Sequence, residues 1–253
     1  MAKLLNYPLI CKRFDPNLEA LCLACLKAVS YIEPDRTGPE MTIEQIPAAG
    51  DRNFAYLLAV PEDGAAAIID PGAASEKLGA RLRALGLALR FVICTHHHHD
   101  HTAGWRELVG EFGARLAAFE NSPLQANLAL TDGAELRLGG EALRIIHTPG
   151  HTEDSICIHV AGAVFTGDTL FVGKVGGTDT GDGARRQYDS LHLKLTQLPD
   201  DTVVYPGHDV GFRPFSTIGE EKAQNPFLLQ PDFEHFVSLK RNWLAYKTKH
   251  GIK

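Results

Sequence analysis

A chain of 253 residues with 44% hydrophobic and 22% charged residues has ordinary globular usage, which excludes a mainly disordered protein. Its 31 acidic residues outnumber 25 basic ones, and the formal net charge of -6 argues against a protein built to grip nucleic acid. No apolar run approaches the roughly 20 residues of a membrane span, and residues 1–8 lack an apolar core with a small-residue cleavage site. Neither a membrane anchor nor a secretion signal is therefore expected.

The chain opens with an extension at 1–40. Leucines and alanines fall at helical spacing over 18–29, after a helix-start signal at Asp15-Pro16-Asn17. Glu33-Pro34-Asp35-Arg36-Thr37-Gly38-Pro39 then reads as a linker. From residue 41 the pattern changes. Residues 42–46 alternate like a strand, and 53–60 with 65–70 read as a hairpin around Pro61-Glu62-Asp63-Gly64. A helix is predicted over 76–85, capped by Ser75 and stopped by Gly86. A buried-type strand over 90–94, a helix over 102–112 and a strand over 115–119 follow. Strands are predicted at 135–138, 143–146, 155–160 and 163–165. A helix covers 185–198, a short strand 202–205, and the chain is helical from 212 to the end, with a last helix over 232–249. Strands with interspersed helices imply an α/β layered domain at 41–212, between the N-terminal extension at 1–40 and a C-terminal helical segment at 213–253.

Five cysteines are an odd number and too sparse for a disulfide framework, so a reducing cytoplasm is expected. Cys22 and Cys25 read as small buried or interface residues, and Cys94 and Cys157 as strand core. Histidine, at 12, is the unusual count. Four sets of candidate ligands fall at strand ends: Thr95-His96-His97-His98-His99-Asp100-His101, His147-Thr148-Pro149-Gly150-His151, Thr166-Gly167-Asp168-Thr169, and Tyr205-Pro206-Gly207-His208-Asp209. Loops at strand ends are where α/β folds place their chemistry. Imidazoles and carboxylates suit borderline divalent metals such as zinc and iron, and the absence of cysteine from these sets excludes a four-thiolate structural site. A purification tag would be terminal rather than placed between a strand and a helix. One polar loop would not explain His151, Asp168 and His208 as well.

His96-x-His98-x-Asp100-His101, with His151, Asp168 and His208, resembles the signature of the metallo-β-lactamase superfamily, and Ile69-Asp70-Pro71-Gly72 resembles its early strand-end motif. The resemblance runs from about residue 41 to 227. It implies an αββα sandwich with metals at one sheet edge. Carried over by position, His96, His98 and His151 would hold one ion, and Asp100, His101 and His208 a second. Asp168 would bridge them, and Asp70 would orient a ligand from behind. His97 and His99 occupy variable positions of the motif.

Two branches of the superfamily are similar to this chain. Residues 166–171 and 218–227 look like segments of glyoxalase II, the hydroxyacylglutathione hydrolase. The arginine usual after Asn-Pro-Phe-Leu is replaced by Leu229 and Gln230, and the usual Gly-Cys-Gly run is altered at 172–177, which argues for weak glutathione recognition. Lys174 is a candidate for holding a substrate carboxylate. Residues 205–209, with Phe212, Ser216 and Thr217, resemble the persulfide dioxygenase branch, which binds one Fe(II) through the equivalents of His96, His151 and Asp168. The expected function is a hydrolase that cleaves a small thioester with hydroxide formed at two divalent ions, zinc by expectation, with Asp100 and Asp168 as catalytic carboxylates. The alternatives are the one-iron dioxygenase and a non-catalytic metal-binding scaffold. The expected partner is a small thioester or thiol-derived substrate, with no nucleic acid and no membrane. A homo-oligomer formed through residues 1–40 stays open.

Overall fold

The computed structural model describes residues 41–251 apart from 49 and 51. The extension at 1–40, with Cys22 and Cys25, lies outside the described residues. The architecture follows from how strand side chains divide between cores. Every residue of β2 (Phe54–Val60) is buried. Phe54, Tyr56, Leu58 and Val60 join one cluster, while Ala55 and Leu57 join another on the opposite face. In β9 (Ile156–Val160), Ile156, Ile158 and Val160 join that first cluster and Cys157 joins a third. Three cores separate four layers, so the αββα sandwich expected from the resemblance is the fold.

One sheet has the order β1 (Thr42–Pro47), β2, β3 (Ala65–Ile69), β4 (Ala88–Ile93), β5 (Arg115–Phe119) and β6 (Leu128–Leu130). Leu78 and Leu82 of α1 (Ser75–Leu85) and Leu108 of α3 (Trp105–Phe112) cover its outer face. The other sheet has the order β14 (Ser216–Thr217), β13 (Val203–Pro206), β10 (Ala163–Gly167), β9, β8 (Glu141–His147) and β7 (Glu135–Leu138). Its outer face is covered by Leu191 of α4 (Asp182–Leu193), Ile218 of α5 (Ile218–Gln224) and Phe236 of α6 (Phe233–Arg241). A two-stranded hairpin, β11 (Leu170–Phe171) with β12 (Lys174–Val175), pairs with neither sheet but packs Leu170 and Val175 into the outer core of the second.

Strand direction gathers the candidate loops. β3 and β4 are parallel, so the chain leaves both at one edge, carrying Asp70 and the 95–101 loop there. β8 and β10 are each antiparallel to β9, hence parallel to one another, and β10 is parallel to β13. The loops carrying His151, Asp168 and His208 therefore leave the second sheet together. Backbone hydrogen bonds join the edges of the two sheets: Ile156 N–H donates to Thr95 O at 2.8 Å, Phe54 N–H to Gly207 O at 2.9 Å and Asp209 N–H to Arg52 O at 2.8 Å.

Some predicted boundaries move for physical reasons. The helix expected over 102–112 is two, α2 (His99–Thr102) and α3, with the break at Ala103 and Gly104. Gly104 N–H donates to Gly72 O at 2.6 Å, and a Cβ at Gly104 would stand 2.8 Å from that oxygen. The chain bends so that the loop after β3 can close on it. Ser75 is the first residue of α1 rather than its cap; Ala74 holds the cap position without a side-chain hydrogen bond. The last helix divides at Asn242 into α6 and α7 (Trp243–His250). Cys94 lies one residue past β4 and, like Cys157, is buried and unpaired. No helix among the described residues is long and apolar enough to cross a membrane.

Candidate metal centre

The site begins with Asp70, which is almost fully buried at the end of β3 and held at φ 49°, a left-handed conformation that aspartate tolerates better than most residues. Its Oδ1 accepts the Thr95 amide at 2.7 Å, and its Oδ2 accepts the Thr95 hydroxyl at 2.7 Å and lies 3.0 Å from His101 Nδ1. Thr95 gives its only hydroxyl proton to Asp70, so its oxygen accepts from His96 Nδ1–H, 3.0 Å away. Both rings are thereby set with Nε2 turned outward, as partners behind a metal ligand do.

Three imidazole nitrogens converge on one side. His98 Nδ1 lies 3.1 Å from His96 Nε2 and 3.0 Å from His151 Nε2. His151 Nδ1 donates to Gly177 O at 2.7 Å, which leaves its Nε2 as a lone pair. On the other side, His101 Nε2 stands 3.2 Å from His208 Nε2 and 3.7 Å from Asp100 Oδ2. Asp168 lies between the two. Its Oδ2 is 3.5 Å from His151 Nε2 and 3.4 Å from His208 Nε2, and its Oδ1 is 3.3 Å from His101 Nε2. Asp168 Oδ1 is buried without a hydrogen bond. His96, His98 and His151 form one cluster able to hold an ion, and Asp100, His101 and His208 another. A third cluster, Asp70 with His96 and His101, is already consumed by the hydrogen bonds of Asp70.

These donors fit divalent cations. A tetrahedral ion with bonds of about 2.0–2.1 Å separates its donors by about 3.3–3.4 Å, and the distances here cluster around that value. Nitrogens and carboxylate oxygens facing one another at these distances inside a protein must share either protons or a cation. The protonation pattern agrees. Burial pushes His96 well below the usual imidazole range, so it is neutral and ready to ligate. Burial acts the same way on His101, yet Asp70 and Asp168 outweigh it and hold its imidazolium up to about 10. The carboxylates that favour a proton there would favour a metal ion in its place. Burial alone would raise the Asp168 carboxyl; the His101 and His208 imidazoles facing it hold it well below the usual range, as an anion.

Several contributors carry no signal in the sequence. Asn53, buried at the start of β2, donates to Asp100 Oδ2 at 3.0 Å and pairs by a backbone bridge with His208. His97 turns away from the two clusters: its Nδ1 bonds Asp154 Oδ1 at 2.8 Å, and Ser122 donates to the other oxygen of the nearly buried Asp154 at 2.7 Å. His97, with Asn121, Asp179 and Arg186, lines a cleft of about 400 Å³ that opens onto His98 and His151. Lys174 lies in the β11–β12 hairpin with Nζ 5.6 Å from the centre of the Phe171 ring, and that ring is 5.7 Å from the ring of His208.

The profile of the Metallo-beta-lactamase superfamily matches residues 49–124 and 120–208. A hydroxyacylglutathione hydrolase of Polaromonas sp. is 38% identical over 165 residues, 62% of this chain and 62% of that protein, so the chain spans less than two thirds of that relative. The hydroxyacylglutathione hydrolase GloC of Haemophilus influenzae is 35% identical over 74% of this chain and 98% of its own length. Among solved structures, ETHE1 from Myxococcus xanthus superposes with a TM-score of 0.72 at 35% identity, covering 79% of this chain and 90% of that one.

Proposed function

Because the chain belongs to the metallo-β-lactamase superfamily, we propose that it is a metal-dependent hydrolase cleaving a small thioester. The observation that carries this reading is the convergence of seven donor side chains into two clusters that share Asp168. His96, His98 and His151 would hold one divalent ion, and Asp100, His101 and His208 the other, with zinc the expected metal. When bound, such a pair lowers the pKa of water so that hydroxide is available near neutral pH, and it polarises an acyl carbonyl.

The chain's own groups do the rest. Asp70 orients His101 from behind, and Asp168 supplies the negative charge that two neighbouring cations need. Asp100, half-buried at the lip of its cluster, is held as an anion: hydrogen bonding from Asn53 and the charge of His101 outweigh its burial. That carboxylate is placed to take up the O–H proton of the hydroxide that has added to the acyl carbon, while the leaving group departs as thiolate. The polar cleft beside His98 and His151 receives the substrate. Lys174, one aromatic ring away from His208, is a candidate for a substrate carboxylate. Leu229, exposed where glyoxalase II usually has arginine, supports a thiol carrier other than glutathione. The acidic charge and two unpaired buried cysteines support a cytoplasmic enzyme acting on small molecules, without nucleic acid or membrane.

Steady-state hydrolysis of S-lactoylglutathione and of smaller thioesters tests the proposal. Turnover of the smaller thioesters with a higher specificity constant is the expected result. No thioester turnover by metal-loaded protein would overturn the hydrolase reading, and preference for S-lactoylglutathione would overturn the assignment of the carrier. The likeness to ETHE1 supports a second reading, a persulfide dioxygenase with one Fe(II) on His96, His151 and Asp168.

A further inference from the structure

The segment between the β11–β12 hairpin and α4 is held from two directions. The Gly176 carbonyl accepts Lys240 Nζ at 2.9 Å and Gln187 Nε2 at 3.1 Å. The next carbonyl, that of Gly177, accepts His151 Nδ1–H at 2.7 Å. Gly176 itself is pressed against the centre: a Cβ there would lie 1.8 Å from Asp168 O and 3.4 Å from His151 Nδ1. Only glycine fits, so this peptide cannot shift without disturbing both residues. Lys240 comes from α6, far along the chain, and its ammonium lies 5.9 Å from the Phe227 ring centre and 5.5 Å from that of Phe236.

A methionine-like chain would fill that apolar space without an ammonium to desolvate. The retained charge has a specific acceptor, one peptide away from the carbonyl that orients His151. We propose that Lys240 is a positioning residue: by fixing the Gly176 carbonyl it sets the Gly177 carbonyl that holds His151 with Nε2 turned toward the His96 and His98 nitrogens. This rests on the proposed role of His151 as a ligand. Two neighbouring contacts extend the brace. Glu221 and Asn225 of the C-terminal segment take hold of the hairpin just before it. Glu221 accepts Gly173 N–H at 2.9 Å, and Asn225 donates to Lys174 O at 3.2 Å. The C-terminal segment thus braces the backbone of the hairpin and of the glycine turn that follows it.

The Lys240 amine also gives a readout that a packing role would not move. Burial lowers it to about 8, and Asp179 is the charged group acting on it in the opposite sense. The Phe227 and Phe236 rings facing it from the C-terminal segment do not titrate.

The test titrates metal-free Lys240→Met, Lys240→Arg and wild-type protein with zinc against a chromophoric chelator, with thermal melts as a folding control. Loss of one partner behind a ligand typically costs about 10–100-fold in metal affinity. Lys240→Met is expected to lose about 10-fold or more for one of two ions, with the other unchanged, and Lys240→Arg to restore it. Wild-type thioester turnover is expected to fall above about pH 8 as Lys240 loses its charge, and Lys240→Arg, whose charge persists, to lack that fall; the same fall in both would count against the positioning role. Lys240→Gln, uncharged and too short to reach, gives the same comparison if the methionine variant does not fold. A folded Lys240→Met or Lys240→Gln protein that binds both ions at wild-type affinity overturns the proposal. The zinc titration decides this even if no thioester is turned over, so its failure is separate from failure of the hydrolase reading.

Discussion

The two donor clusters are built differently. In the second, His101 and His208 are 1% and 8% exposed, and a carboxylate fixed in the sheet edge holds His101 from behind. In the first, His98 and His151 look into the cleft, and His151 is oriented by the carbonyl of a glycine loop whose own position depends on α4 and α6. The sheet edge sets the second cluster and, through Thr95, His96 of the first, whereas His151 depends on the periphery. The cleft lies over the first cluster, and His101 and His208 of the second are buried beneath the surface.

Asp168 belongs to both clusters, and its removal should erase the difference between them. Asp168→Ala should lose about 10³-fold or more in turnover and reduce binding of both ions, measured by steady-state kinetics and elemental analysis. Full activity in a folded variant would contradict the assignment. His208→Ala touches the second cluster alone. Bound metal should fall from about two ions toward one, with about 10²–10³-fold lower turnover. Retention of a single iron in that variant, with oxygen consumed alongside a persulfide, would favour the dioxygenase instead.

Asp70→Asn keeps shape and tolerates the left-handed backbone while removing the charge behind His101. Affinity for one ion should fall about 10–100-fold, read by chelator competition. The metal-free protein offers a second reading of the same contact. The folded pKa of His101, about 10, lies above the roughly 6.5 of an unfolded histidine, so its stabilisation is full below about pH 6.5 and is lost as pH rises toward 10. The melting-temperature gap between wild type and Asp70→Asn should therefore be widest near pH 6 and close toward pH 10. A gap independent of pH would deny the charged contact.

The smallest effect lies away from both clusters. Thr217 caps α5 in a reciprocal pair with Glu220. Thr217→Ala should cost about 1 kcal/mol in denaturant unfolding and leave turnover unchanged.

How much of this is legible in the sequence follows the same division. The seven candidate donors lie at strand ends that hydrophobic runs announce, so the convergence of His96, His98, Asp100, His101, His151, Asp168 and His208 can be anticipated from their spacing and the family resemblance. The supports cannot. Lys240 lies 64 residues from Gly176, and Asp154 lies 57 from its partner His97; contacts at such separations leave no local period. β6, β11, β12 and β14 have two or three residues each, too few to alternate. Gly104 breaks a helix through contact with Gly72, a tertiary event that a helical pattern cannot reveal.

Elemental analysis of protein prepared without added metal, paired with thioester and persulfide assays on the same sample, tests the central claim most directly. The account predicts about two zinc-type ions per chain and thioester hydrolysis that chelation abolishes. A single iron per chain, oxygen consumption with a persulfide and no thioester turnover would contradict it.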